Sequence, residues 1–296
     1  MKKHLYTILL VLCSAVFLFS GYKLVSALLK YKKANDTYDE IREAAAETIA
    51  STEAVLPEDV PEETEEEEDA KSPYLVCDYP DYPDYSDHEH LEKLDFFHTT
   101  FDYVLMPYYS MNFDSLIAAN PDVKAWIRIE DTKVDYPVVQ GEDNSKYLRV
   151  GADGEPLNAG AIFIDYRVED PFNDPVTILY GHNQRNHSIF HDLHKYRNED
   201  FFNEHPFIEI YLPDGSAIKY QVFAAGLIDA YGSNYRISFQ DDADFLSYLD
   251  LLQENSEHGA HMNLTAEDSI IILSTCTNDY DESKRMIVCA RKISTE

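Results

Sequence analysis

Apolar residues fall into three regimes along this chain: one long uncharged run, a stretch almost without them, and then many short alternating segments. The first run, "LYTILLVLCSAVFLFSGY" (Leu5–Tyr22), holds 18 residues and no charge, and after Lys23 "LVSALL" carries it on to Leu29. About 20 apolar residues in a helix cross a bilayer core, so residues 1–30 are expected to form an N-terminal membrane anchor. "VSA" at 25–27 resembles a cleavage site, which makes a removed signal peptide the alternative. Lys2 and Lys3 precede the run and Lys30, Lys32 and Lys33 follow it, so basic flanks do not orient it. Beyond the run, "YKKANDTYDEIREAAAETIA" suits a short helix leaving the membrane. From Glu43 to Asp69 there is neither Lys nor Arg. Like charges repel and little apolar surface is available to bury, so a solvated spacer is expected. "DYPDYPDYSD" (78–87) extends that spacer, a tyrosine motif for a partner being the other reading. The domain reading is therefore 1–30 anchor, 31–88 acidic low-complexity stalk and 89–296 folded catalytic domain.

In the third regime the period changes from segment to segment. "LEKLDFFHTTFDYVL" and "NFDSLIAANPD" show helical spacing, the second ending at Asn120-Pro121. Short strand patterns follow: "AWIRI" (125–129), "YPVVQ" (136–140), "GAIFID" (160–165) and "PVTILYG" (175–181). "SIFHDLHKY" and "EDFFNEH" return to helical spacing. "FIEIYLPDGSAIKYQVFAAGLID" reads as a hairpin around Pro213-Asp214-Gly215, and "DDADFLSYLDLLQENSE" as an amphipathic helix with an Asp cap. Two further apolar runs, separated by an acidic loop, close the chain in "SIIILSTCTNDYDESKRMIVCARK". Strands predominate without regular βαβ alternation, so a mainly β fold of barrel type is expected.

Composition narrows the function. Hydrophobic residues make up 45% of the chain, including 22 Tyr and 15 Phe, enough for a packed core. The formal net charge of −31 excludes nucleic acid as a partner class, because phosphates would be repelled. Cys13, Cys77, Cys276 and Cys289 have no short metal-type spacing. Cys276 and Cys289 lie in adjacent strand patterns, which leaves open a disulfide across a hairpin.

Three residues at strand ends carry candidate chemistry. "IIILSTC" sets Cys276 at the end of an apolar strand, where it is either a structural thiol or a nucleophile with a base beside it. "PVTILYGHNQ" has the same form, an apolar strand ending on a polar residue, His182, whose imidazole can move a proton or simply face solvent. Arg285 opens the strand after the acidic loop; it can stabilise an oxyanion beside Cys276 or pair with Asp279, Asp281 or Glu282. Arg291, farther from the loop, is the weaker candidate. A rival cluster, His182, His187, His191 and His194, includes a four-residue spacing suited to zinc. However, Ser188-Ile189 reads as the helix start, which leaves His187 outside it, and no H-E-x-x-H pattern is present. No metal or cofactor is expected.

These blocks resemble a known family. "LSTC" after an apolar strand, with "RMIV" opening nine residues beyond the cysteine, resembles the sortase signature, and "ILYGHN" with "SIFHDLHKY" resembles the sortase histidine segment. "NPDVKAWIRIEDTKVDYPVVQGEDNSKYL" and "NAGAIFIDYR" are similar to class B sortases, and the likeness runs from about Phe113 to Arg291 in the family's order. Where the family commonly has Thr-Leu before Ser-Thr-Cys, this chain has Ile272-Leu273, a change expected to touch packing alone. The resemblance implies an eight-stranded sortase-type β-barrel with N-terminal helices and a helix before the cysteine strand. It implies Cys276 as nucleophile, His182 as general acid/base and Arg285 as oxyanion or positioning group. Substrate contacts are implied at Asn144, Leu148, Ser274 and Tyr235. The implied reaction cleaves a C-terminal sorting signal of the Asn-Pro-x-Thr type through a thioester and transfers the protein to an amine. Implied partners are surface proteins bearing that signal, an amine acceptor from a peptidoglycan precursor or a pilin lysine, and the membrane of a Gram-positive cell. The catalytic domain is then extracellular on a single-pass anchor. The chain ends "ARKISTE" without an apolar tail, so it is expected to be the enzyme rather than a substrate. A pilin polymerase and an inactive sortase-like binding module are the alternatives.

Overall fold

A computed structural model describes residues 2–46, 111–231, 234–258, 262–277 and 283–293. Chain contacts group Met1–Ile49 with Met111–Glu296 in one compact unit and set Ala50–Ser110 apart as a second, which lies outside the described residues. The stretches 91–105 and 78–87, read above as a helix and a spacer, also lie outside them.

Eight strands close into a barrel: β1 (Val123–Arg128), β2 (Asp135–Val139), β3 (Ile162–Ile164), β4 (Val176–Tyr180), β5 (Phe207–Tyr211), β6 (Ala217–Asp229), β7 (Ile270–Cys276) and β8 (Lys284–Lys292). Around the barrel the order is β1-β2-β3-β4-β7-β8-β6-β5, with β5 pairing back to β1. Closure satisfies the backbone groups that an open sheet would leave at its edges. Two neighbours are parallel, β2 with β3 and β4 with β7; the others are antiparallel. Each parallel pair needs a long crossover. The one between β4 and β7 contains β5, β6 and the helix α4 (Asp242–Glu254), whose first turn is capped by Asp241 accepting from the Asp244 N–H.

Helix α4 explains why β7 reads as continuously apolar. Alternate residues of a strand point to opposite faces. Ile271 and Leu273 join the larger core cluster with Ile164, Leu179 and Val288. Ile270 and Ile272 join a second cluster with Ile178, Ile287 and the α4 residues Phe245, Leu249 and Leu252. One face fills the barrel and the other lies under α4, so neither is left for polar residues. Cys289 belongs to the cluster under α4 and pairs across the ladder with Ile272, whereas Cys276 pairs with Arg285. The possible disulfide is therefore not formed: both thiols are free, and burial pushes the Cys289 thiol well up.

The histidine segment is helical as expected only from His191 on. His187 and Ile189 take left-handed backbone angles (φ 62° and 59°), so the chain turns there and only then winds into a 3-10 helix over His191–Arg197. The short helix α3 (Glu199–Glu204) follows, its Asn198 side chain accepting from the Phe201 N–H.

At the N-terminus, helix α1 (Lys2–Ala46) runs without a break through the expected anchor–stalk boundary. It is long and apolar enough to cross a membrane, and Phe17, Leu18 and Leu28 are uncovered by protein. Its last turns are different. Ala34, Tyr38 and Ala45 are buried, and the Tyr38 hydroxyl donates to the Gly160 carbonyl. The Tyr38 ring meets Tyr136 edge-on at 5.0 Å, and the Arg42 guanidinium lies 4.8 Å from the Tyr136 ring while donating to the Asp135 carbonyl. The Asn112 N–H donates to the Ala45 carbonyl, which leads on to helix α2 (Phe113–Ala119). Residues 34–45 thus pack on the barrel.

Tyr38→Ala is expected to lower the unfolding free energy of the full chain by about 3 kcal/mol through lost packing. Tyr38→Phe, which strips only the hydroxyl from the Gly160 carbonyl, should cost about 1 kcal/mol. Denaturant titration of both variants checks this; two indistinguishable values would mean that the ring contributes nothing.

Candidate active site

Strand register assembles the site. β4 and β7 run parallel with Tyr180 opposite Ser274, and the Gly181 N–H donates to the Ser274 carbonyl at 3.1 Å. Parallel strands end on the same rim, so His182 and Cys276, each two residues beyond that pair, leave the barrel side by side. β8 runs antiparallel to β7 with Arg285 opposite Cys276. Three neighbouring strands therefore present His182, Cys276 and Arg285 in a row. All three line a cleft of about 290 Å³, together with Asn144, Leu148, Ser274 and Tyr235. Arg291 sits at the far end of β8, opposite Ile270.

Gly181 is required by the close approach of the histidine turn. A Cβ there would sit 2.6 Å from a Phe190 ring carbon, and the Phe190 N–H donates to the His182 carbonyl. His182 Nε2 bonds to the Leu148 carbonyl at 2.9 Å. A carbonyl only accepts, so Nε2 carries the hydrogen and Nδ1 is the basic nitrogen of the neutral ring. Burial, the largest effect, lowers the His182 pKa from 6.5, and the bond to Leu148 partly offsets it. The imidazole is therefore neutral at pH 7. Cys276 is exposed to the cleft.

The end of β7 is braced at the Cys276 carbonyl. Asn183 Nδ2 donates to the Cys276 carbonyl at 3.1 Å, and His194 Nε2 reaches the same oxygen at 3.0 Å. Asn183, which adjoins His182 in "YGHN", was not singled out from sequence, and His194 was named only within the rival histidine cluster; it reaches the Cys276 carbonyl because the turn folds back.

The opposite wall is aromatic. Phe163 and Tyr180 stand 5.5 Å apart, and Tyr180 and Tyr235 stand 5.9 Å apart. Tyr235 and Ser274 share a hydroxyl hydrogen bond of 2.8 Å, and burial pushes the Tyr235 pKa up to about 12. Tyr180 donates to Asp165, which is fully buried and gripped at both oxygens by the Arg167 guanidinium. Burial acts to raise the Asp165 pKa, but Arg167 and Tyr180 outweigh it and hold the carboxyl below its usual range. Arg167 also donates to the Tyr235 carbonyl, so one ion pair ties both tyrosines to the barrel. Strand period could have flagged Tyr180, which shares its face with His182; nothing in the spacing marks Asp165. On the near side, Asn144 Oδ1 accepts from the Tyr166 N–H, which orients that amide at the mouth.

Comparison with known proteins shows similarity in sequence and fold to one family. The family model described as a sortase domain matches residues 127–293. Sortase B of Listeria monocytogenes is 35% identical over 179 residues, 60% of this chain and 72% of that protein. Sortase B of Staphylococcus aureus is 35% identical over 183 residues, 61% and 74% of the two chains. A solved Staphylococcus aureus sortase B–substrate complex superposes with a TM-score of 0.57 at 34% identity, over 62% of this chain and 85% of that one.

Gly181→Ala should destabilise the chain by about 1–3 kcal/mol, since the new methyl displaces the Phe190 ring on which the histidine turn rests. Thermal unfolding of the variant measures this, and an unchanged midpoint would mean that Phe190 yields at no cost.

Proposed function

The chain belongs to the sortase family as a cysteine transpeptidase of class B, and from that premise we propose that it cleaves a C-terminal sorting signal of the Asn-Pro-x-Thr type and joins the protein to an amine of a cell-wall peptide. The observation that carries this reading is the strand register that sets His182, Cys276 and Arg285 along one rim of one cleft.

In the proposed reaction, neutral His182 takes the Cys276 proton, and the thiolate attacks the Thr carbonyl carbon of the signal. Arg285 stabilises the oxyanion that forms. As the tetrahedral intermediate collapses, the C–N bond breaks and the imidazolium gives its proton to the departing amine, which leaves a thioester on Cys276. An incoming amine then attacks the thioester and loses its proton to His182, and the thiolate departs. Asn144, Leu148, Tyr235 and Ser274 are proposed to hold the signal peptide along the cleft. Tyr180 and Tyr235 offer it an apolar wall kept in place by Asp165. Helix α1 is proposed to anchor the chain in the membrane, with the barrel outside the cell.

Two measurements test this. The detergent-solubilised full chain should cleave a fluorogenic Asn-Pro-x-Thr peptide, and Cys276→Ala should abolish cleavage, with Arg285→Ala lowering it by about 10²-fold or more. Cleavage that persists in Cys276→Ala would sink the mechanism, and an intact chain that binds but never cleaves would be a binding module. The acid limb of kcat/KM should fall below pH 6.5, because the His182 pKa is lowered and the base stays unprotonated into mildly acidic solution. A limb above pH 6.5 would assign it to another group.

A further inference from the structure

Outside the cleft, the turn that follows β4 gathers His187, His191 and Asp192, and a ligand atom from each lies within 4.8 Å of the other two. Helical spacing does not produce this, since His187 precedes the first residue of the 3-10 helix. The left-handed residues His187 and Ile189 reverse the chain, and an antiparallel bridge between Asn183 and Ile189 fixes the reversal. His187 is thereby folded back until its ring lies 4.1 Å from the ring of His191.

The donors are prepared. His191 Nδ1 bonds to Asn183 Oδ1 at 2.7 Å. Asn183 uses its amide nitrogen on the Cys276 carbonyl, so its oxygen is the acceptor here. The hydrogen therefore sits on His191 Nδ1, and Nε2 keeps its lone pair, as in metal-bound histidines oriented by an outer partner. Asp192 is 6% exposed, and its Oδ2 accepts from the Lys133 N–H at 2.9 Å and meets Lys195 Nζ at 3.2 Å. Both of those contacts fall on one carboxylate oxygen. His187 is exposed and gives an ion a route from solvent.

We propose that His187, His191 and Asp192 form a binding site for a divalent cation of the zinc class, with water completing the coordination. Two imidazole nitrogens and a carboxylate oxygen are a donor set that Zn²⁺ accepts in open, three-ligand sites. Calcium and magnesium call for more oxygen ligands than this turn supplies. Asn183 links the site to the nucleophile strand, because it orients His191 and holds the Cys276 carbonyl. The proposal does not depend on the transpeptidase reading.

The test is calorimetric titration of the detergent-solubilised full chain with Zn²⁺, paired with Co²⁺ titration read by visible absorption. Both use wild type, His187→Ala, His191→Ala and Cys276→Ala. One saturable site is expected in wild type and in Cys276→Ala, weakened more than about tenfold in either histidine variant. His187 is exposed, so His187→Ala should keep the fold, which circular dichroism verifies. Saturable binding that His187→Ala and His191→Ala leave untouched would overturn the proposal, as would no saturable binding in wild type. A cobalt–thiolate charge-transfer band that disappears in Cys276→Ala would instead place the ion on the reactive thiol, and would overturn it too.

Discussion

The parallel pairing of β4 with β7 is the constraint on which the rest of this molecule depends. β7 is an apolar segment that ends on Cys276, β4 one that ends two residues before His182, and nothing local relates the two. Hydrogen bonds from Val176↔Ile270 to Tyr180↔Ser274 fix their ends to one rim in one register. A slip of one residue would turn every side chain of the slipped strand to the other face and expose its apolar set. Burial on both faces of β7, in the barrel and under α4, makes that slip costly. The same burial that stabilises the fold therefore holds His182 and Cys276 opposite each other.

Around this register the polar groups form a supporting frame. The Cys276 carbonyl receives bonds from Asn183 and His194, and the Leu148 carbonyl fixes the tautomer of His182. Asp165 and Arg167 hold Tyr180 and Tyr235 along the aromatic wall. A buried carboxylate is tolerated there because its oxygens are paired, and removing one partner would leave an uncompensated charge. The histidine turn belongs to the same frame, since Asn183 both braces Cys276 and orients His191 of the proposed cation site.

Strands β1, β2, β4, β5 and β6 were legible because their apolar runs are bounded by turn residues, and α4 because its period and Asp241 cap agree. The helix read in "SIFHDLHKY" is present only from His191 on, as a 3-10 helix, because the left-handed backbone at His187 and Ile189 is imposed by tertiary packing. Ile189 is wholly buried and its N–H donates to the Tyr136 hydroxyl, far away in sequence. The docking of Tyr38 was not legible for a similar reason: acidic, helical sequence does not announce a partner surface supplied by Tyr136 and Gly160.

By itself the sequence determined which segments are apolar, where they stop, and that a cysteine, a histidine and an arginine stand at such stops. Those properties are local, because they follow from side-chain chemistry and period. Tertiary structure decided that Cys276 faces Arg285 and not Cys289, that the Leu148 carbonyl leaves Nδ1 as the unprotonated nitrogen of His182, and that Asp165 and Asn183 support the cleft. Each of these depends on a pairing between strands or turns distant in the chain, and a pairing is a relation that neither partner's residues encode alone.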